Sequence, residues 1–464
     1  MNRPAQLRPG TVARYAVGSV GTGGFATLPG LVLIYYLTDA LAVPALLAGT
    51  IVTVAKIWDV LVSPAVGQLS DADAARTGSR RRLMLAGGLT LPVFFALTFA
   101  VPRSLDPGAA GLWVLVAFLL TGTAFSLFQV PYIALPAEIA HTYDDRTRLL
   151  SWRVAILAVA ILAFGAGGPL LRGESTDFAG YLRMGVVAGL VIGVGMVVAA
   201  GAAPRAPLTG TVAAARRPTV RGVREVVVAS VRESAAALRR SQPFRTLFTT
   251  FALQALATGL MLAGAQYVAT YVLDSEAAVS ILFAALIAPA LLTMPLWTRL
   301  AGRVGKERAF VVATVLFVVG AAAMLPLAWV PGVWVYATTA LVGVAYAGMQ
   351  ALPLAMLPDV IQDDAERTGT ATGADGGTFS GLWTAGETTG MALGGGLLSL
   401  VLAVTGFVST TSGVDATQPG SAVLGISLAF SVLPATLAAV SIVPLVRYGL
   451  RRGHFEEARP METP

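Results

Sequence analysis

The chain of 464 residues has no cysteine, which excludes disulfides, cysteine-ligated zinc and thiol catalysis. Its two histidines, His141 and His454, are too few for a histidine-based metal site. Lysine occurs twice, at Lys56 and Lys306. Charge of either sign is scarce: 12% of residues are charged, against roughly 25% in a soluble domain. A water-facing surface cannot be built from so few charges. With 56% hydrophobic residues and a mean hydropathy of +0.74, the main solvent of this chain is lipid. No nucleotide-binding P-loop, catalytic triad or metal motif is present, so neither ATP as direct energy source, nor enzyme activity, nor a cofactor is expected.

What is present reads as membrane helix. The 50 glycines and 26 prolines would mark loops in a soluble protein, but in membrane helices they allow close contact and bending. The net charge of +7 belongs to membrane-flanking loops and does not call for nucleic acid. Arg3, Arg8 and Arg14 precede an apolar stretch too long for a signal peptide's core. Spans are expected near 12–37, 44–70, 82–102, 110–138, 149–171 and 180–202, then near 245–273, 278–300, 308–330, 333–360, 378–407 and 421–447. Loops after even-numbered spans carry Arg80, Arg81 and Arg82, Arg146 and Arg148, Arg216 and Arg217, and Arg303 and Lys306, whereas the opposite loops are poor in base. Positive residues stay cytoplasmic, so both termini are expected in the cytoplasm, in a plasma (inner) membrane protein acting as a monomer.

The expectation is an all-α membrane protein of twelve helices in two pseudo-repeated six-helix bundles, 1–202 and 244–464, joined by a cytoplasmic linker, 203–243. In the linker Val223, Val227, Val231, Ala235 and Leu238 fall at helical spacing while Arg224, Arg232, Arg239 and Arg240 take other faces. It reads either as an amphipathic helix on the inner membrane surface or as a disordered basic linker. The halves echo each other: EIAHTYDDRT from Glu138 aligns without a gap with DVIQDDAERT from Asp359, and Gln129 with Gln350. Repeated halves put a wet cavity at their interface and move by rocking. Asp71, Arg80, Glu138, Asp145, Arg146, Asp359, Glu366 and Arg367 are candidate cytoplasmic gate residues, where acids and arginines can pair across the moving halves; ordinary positive-inside topology explains the arginine run equally well.

Five segments resemble the glycoside–pentoside–hexuronide cation symporters, the melibiose-carrier branch of the major facilitators. They are KIWDVLVSPAVGQLSD at 56–71, GSRRR at 78–82, VPYIALPAEIAHTYDDRTRLLSWR at 130–153, MLPDVIQDDAERTG at 356–369 and GLWTAGETTGMALGG at 381–395. The resemblance implies a bacterial inner-membrane symporter coupling a sugar-like solute to sodium or protons. By it, Asp59 matches the cation-binding aspartate after Trp58, Ser126 a cation-binding hydroxyl, and Arg153 an arginine near the sugar. The chain departs from the pattern elsewhere. Ser63 stands for a second acid, Val62 for an asparagine, Gly23 for a sugar-binding aspartate, Gln129 for another, and Thr388 for a lysine, with Glu387 beside it. Most of the melibiose-type sugar clamp is therefore missing, and the sodium cage is thinner.

Intramembrane charges cost roughly 2.5–3.5 kcal/mol each and need a reason. Lys56 and Asp59 are three apart, on one helix face; they form either a coupling site or a static ion pair. Glu387 has no base nearby in sequence and is either a proton carrier or an acid that stays protonated. Together Asp59 and Glu387 favour protons over sodium. Gln129 and Gln350 can bond a polar solute or glue helices; Gln254 and Gln266 are lesser candidates. Trp58, Tyr132, Trp152 and Trp383 can stack on a ring or anchor the chain at the interface. The expected partners are a small solute, H+ or Na+, and the lipid bilayer. Symport is the leading reading, with an exporter or amphiphile transporter, and a membrane sensor or scaffold, as alternatives.

Overall fold

The computed structural model of the chain describes residues 7–140, 143–173, 178–203, 232, 235–368, 376–411 and 417–450, without the side chains of 137, 143, 144, 146, 147 and 376–378. In lipid, every backbone polar group must be satisfied within its own segment, and the long apolar segments are accordingly helical. They are α1 (Pro9–Tyr35), α2 (Ala45–Thr77), α3 (Arg81–Thr98), α4 (Pro107–Ile139), α5 (Tyr143–Arg172), α6 (Phe178–Ala200), α7 (Gln242–Tyr271), α8 (Ala278–Val304), α9 (Lys306–Ala322), α10 (Trp334–Thr368), α11 (Gly376–Val404), α12 (Gly420–Phe430) and α13 (Val432–Val446). Among the described residues, 11 helical stretches are long and apolar enough to cross a membrane. The 18-residue α3, with Arg81 and Arg82 in its first turn, is not one of them. Leu292, Val333 and Val404 stay exposed, as side chains facing lipid do.

The helix ends follow local chemistry. Asp106 caps α4 by accepting from Gly108 N (3.0 Å) and Ala109 N (3.2 Å), with Pro107 behind it. Ser241 caps α7 through Phe244 N at 3.3 Å. α2 and α8 end at glycines with positive φ, Gly78 (73°) and Gly305 (94°), the backbone state that stops a helix and that glycine enters freely. Several helices outrun the spans expected from hydropathy. α2 continues to Thr77 and α10 to Thr368, because their polar ends remain good helix formers and project beyond the apolar segment. The last span, by contrast, is broken at Ser431 (φ −119°, ψ −76°). Pro434 cannot donate to the Phe430 carbonyl four residues earlier and its ring crowds it, so α12 stops there.

The chain divides into two compact units, Met1–Val227 with Phe407–Thr417, and Val228–Gly406 with Gln418–Pro464. In the first, α1 packs on α5 and α6, α3 on α4 and α6, and α2 on α4. In the second, α7 packs on α11 and α13, α9 on α10 and α13, and α8 on α10. The α7–α11 crossing is close: a Cβ at Gly394 would run into the backbone of α7 around Gly259 and Leu260. Most of the sequence-expected linker, including Val223, Arg224, Val227 and Val231, lies outside the described residues; 235–240 are helical and lead into α7.

The end of α1 is irregular. Residues Tyr36–Ala40 form a π-turn, and Ala42 follows at φ 53°. Ala42 N donates to Thr410 O and Thr410 N to Thr38 O, both at 2.8 Å, around an antiparallel bridge between Leu41 and Thr411. These bonds hold alanine in a left-handed state that costs an L-residue about 1–2 kcal/mol. Glycine escapes that cost but loses about 0.5–1 kcal/mol of chain entropy. Ala42→Gly is therefore expected to raise the thermal midpoint of the detergent-solubilised protein slightly, by about 1–2 °C. A clear fall in midpoint would show that the alanine is not strained.

Candidate functional site

Within the first unit the polar residues gather around α2. Asp59 lies against α4 at Gly122, where a Cβ would overlap its carboxylate. Glycine here is a matter of space rather than of backbone freedom. Lys56 Nζ stands 3.6 Å from Asp59 Oδ2, and the two side chains are 19% and 16% exposed. The lysine has two further neighbours: its ammonium lies 5.1 Å from the centre of the Phe25 ring on α1 and 5.8 Å from that of Phe118 on α4. Phe25 in turn stacks on Phe125 at 4.2 Å. The charge is thus held by one carboxylate and two aromatic faces, in a gap lined by three helices. Ser63 Oγ donates to the Asp59 carbonyl at 2.7 Å, and Ser126 is buried one helical turn beyond Gly122 on α4. Trp58 lies outside this group, its indole donating to Thr123 Oγ1 at 3.0 Å. Trp152 is exposed.

One turn and more along α4, Gln129 Oε1 accepts from Thr22 Oγ1 of α1 at 2.8 Å, while the residue stays partly exposed. Tyr132 departs from the expectation that it binds solute. It is fully buried, stacked between Tyr15 (4.6 Å) and Phe128 (4.9 Å). Its hydroxyl donates to the Tyr15 carbonyl at 2.9 Å and lies 3.2 Å from Ser19 Oγ. A fully buried ring packed in this way clamps α1 to α4. Arg153, partly exposed, reaches over Tyr132 at 5.5 Å.

In the second unit, Gln350 Nε2 donates to Tyr346 Oη at 2.7 Å. Trp383 is buried and stacks on Phe251 at 4.0 Å, and its indole N–H has no acceptor among the described residues. Glu387 sits one turn further along α11 with Thr388 beside it, both partly exposed. Among the described residues no base pairs with Glu387. Gln254 is buried and bridges helices: Nε2 donates to Thr314 Oγ1 (3.0 Å) on α9 and Ser441 Oγ (3.1 Å) on α13. Gln266, also buried, donates to Thr270 Oγ1 at 3.1 Å.

Several gate candidates have partners inside their own unit. Arg80 contacts Glu138 at the end of α4, Asp71 at 2.7 Å, and Ser70 Oγ at 2.6 Å. Burial works against the charge of this guanidinium, but hydrogen bonds and attraction from Glu138 and Asp71 outweigh it, and its pKa is raised. Lys306 Nζ takes the equivalent acid, Asp359, at 2.6 Å and the Ala355 carbonyl at 2.9 Å. Arg367 pairs with Asp363 of its own helix at 3.0 Å, and Glu366 accepts from Gln362 at 2.9 Å. Asp145 is buried and accepts from Leu7 N at 3.1 Å. The side chain of Arg146 lies outside the described set. Sequence reading missed the base in the second unit. The signal was there: Gly78-Ser79-Arg80 and Gly305-Lys306 each place a base just after a helix-ending glycine. Also missed was the pairing of Arg240 with Asp364.

Three comparisons put these sites in context. Over 166 residues the chain is 32% identical to an uncharacterized symporter of Synechocystis, but the match spans 35% of this chain and only 29% of that protein. The glucuronide carrier protein homolog of Escherichia coli is 23% identical over 97% of this chain and 95% of its own length. The inward-open xylose transporter XylE from E. coli superposes with a TM-score of 0.62 at 11% identity, covering 95% of this chain and 96% of its own; at that identity it speaks for the fold alone. The sequence pattern of the MFS/sugar transport proteins runs through residues 14–452, and the chain, a multi-pass membrane transporter and not an enzyme, belongs to that family.

Proposed function

We propose that the protein is a cation-coupled symporter of a small organic solute of the sugar or glycoside type, driven by protons in preference to sodium. The observation that carries the reading is Lys56 and Asp59, held together between α1, α2 and α4 with Phe25 and Phe118 over the ammonium. A static pair needs no such surroundings, whereas a coupling site needs a second arrangement of nearly equal energy. When Asp59 takes a proton, Lys56 loses its counter-charge. A lone intramembrane charge costs roughly 2.5–3.5 kcal/mol, and each aromatic face returns about 0.5–2 kcal/mol. The rings therefore offset much of that cost, and oxygens of an entering solute can supply the rest. Cation and solute would then bind together, which is symport. Near Asp59 the hydroxyls of Ser63 and Ser126 add few oxygens for a sodium ion, which supports the proton.

The solute site proposed with it uses Gln129 and Arg153 in one half and Gln350, Trp383, Glu387 and Thr388 in the other. Trp383 brings a buried donor without an acceptor among the described residues and Glu387 a second acid that can exchange a proton. The architecture proposed is twelve spans in two repeated halves working by alternating access, with α3 as the twelfth span, both termini cytoplasmic, and the molecule a monomer in the inner membrane. The same order of packing partners within each unit supports the repeat. The related E. coli protein described as a glucuronide carrier homolog and the family's sugar transport description support the solute class.

The test is uptake into vesicles containing the purified protein, across a panel of glycosides and sugar acids. An inward proton gradient is expected to drive at least one of them above its external concentration, and collapsing that gradient with a protonophore should abolish the effect. Accumulation that follows sodium alone would reject the proton. Solute movement that ignores every ion gradient would reject symport.

A further inference from the structure

We propose that the groove along the helix leading into α7 binds the headgroup of an anionic phospholipid. Its walls are Arg232, Arg239 and Arg240 and its floor is Ala235 and Ala236, around a volume of about 590 Å³. This site is separate from the transport residues and does not rest on the function proposed for them.

The geometry sorts the three arginines. Arg240 is already engaged: Nε reaches Asp364 Oδ1 at 3.0 Å, Nη2 reaches Oδ2 at 2.6 Å, and the guanidinium lies 5.9 Å from the centre of the Phe379 ring. This bidentate contact, the strong form of arginine–carboxylate pairing, fixes the helix to α10 and α11. Ala237 is buried on the inward side. Arg232 and Arg239, by contrast, are exposed, and neither pairs with a carboxylate among the described residues. Both line the same groove, and the alanines beside them have small side chains that leave room for a group to lie between two guanidinium forks.

Two further features choose a lipid over a soluble anion. The groove ends at Arg240, and the next residue, Ser241, caps the membrane-crossing helix α7; anything bound there sits at the level of lipid headgroups. Its floor is methyl groups, which suit a glycerol backbone better than a hydrated ion. A juxtamembrane arginine contributes to anionic-lipid binding through both charge and hydrogen bonds to phosphate. Here two of them pair with no carboxylate among the described residues, and a third keeps the helix in place.

The experiment is thermal melting of the full-length protein in a neutral detergent, titrated with phosphatidylglycerol, with phosphatidylcholine of the same acyl chains, or with inorganic phosphate. Phosphatidylglycerol is expected to raise the midpoint, phosphatidylcholine and phosphate far less, and the shift should shrink with added salt. In Arg232→Ala/Arg239→Ala, about tenfold or more phosphatidylglycerol should be needed for the same shift. Should that variant not fold, Arg232→Gln/Arg239→Gln keeps much of the side-chain volume, and native mass spectrometry of the wild type counts retained phosphatidylglycerol directly. An unchanged titration in the folded variant overturns the proposal. So does an equal shift with phosphatidylcholine, which means unspecific lipid binding, or with phosphate, which means a soluble-anion site.

Discussion

Asp59→Asn protein in vesicles is expected to equilibrate solute without accumulating it. A single coupled charge moving through about 100 mV is worth about 2.3 kcal/mol, which is about fiftyfold accumulation at 1.4 kcal/mol per decade. All of that should vanish, while exchange of labelled for unlabelled solute continues. Asparagine matches the shape of aspartate, so the close contact with Gly122 is preserved and helix packing is not at issue. The variant does leave Lys56 without its counter-charge. The cost of an uncompensated charge, several kcal/mol when buried, is here reduced by the partial exposure of the site and by the Phe25 and Phe118 faces. Lys56→Met/Asp59→Asn removes the remaining ambiguity. It should melt close to the wild type and still fail to accumulate solute, which separates coupling from folding. If Asp59→Asn vesicles concentrate solute as the wild type does, Asp59 is not where the ion binds.

What could be read from the sequence here was what depends on one residue or on spacing along one helix. The span-length apolar segments declared themselves because lipid leaves the backbone no alternative to helix. Lys56 and Asp59 could be paired because three positions on a helix is contact distance, and the ion pair is found at 3.6 Å. What depended on neighbours from other helices was not legible. Nothing in the order of residues says that Phe25 and Phe118 meet over Lys56, or that Gly122 is small to admit Asp59. Tyr132 shows the same limit from the other side: an aromatic in a family-like segment suggested a solute contact, and packing against Tyr15 and Phe128 leaves it fully buried. The break at Ser431 was hidden because Pro434 is as compatible with a bent helix as with two helices.

The repeated acid–base pairs give the largest expected effect on stability, and they should not behave alike. Arg80 and Glu138 are 15% and 14% exposed, whereas Lys306 and Asp359 are 41% and 28% exposed. Removing one partner of a buried pair strands the other and costs roughly 3–5 kcal/mol, while a pair open to water is worth about 0–1 kcal/mol. Arg80→Ala is therefore expected to lower the unfolding free energy by about 3 kcal/mol and Lys306→Ala by about 1 kcal/mol or less, measured by denaturant or thermal unfolding in detergent. Asp71 cannot account for the difference, because at 59% exposed its contact with Arg80 is of the weak kind. If burial and not pairing sets the cost, Arg80→Met/Glu138→Leu should recover most of what Arg80→Ala loses, since two apolar side chains of similar size leave no charge behind. Equal losses for Arg80→Ala and Lys306→Ala, or a double variant no better than the single, would mean that the first pair is solvated in the working protein and braces nothing.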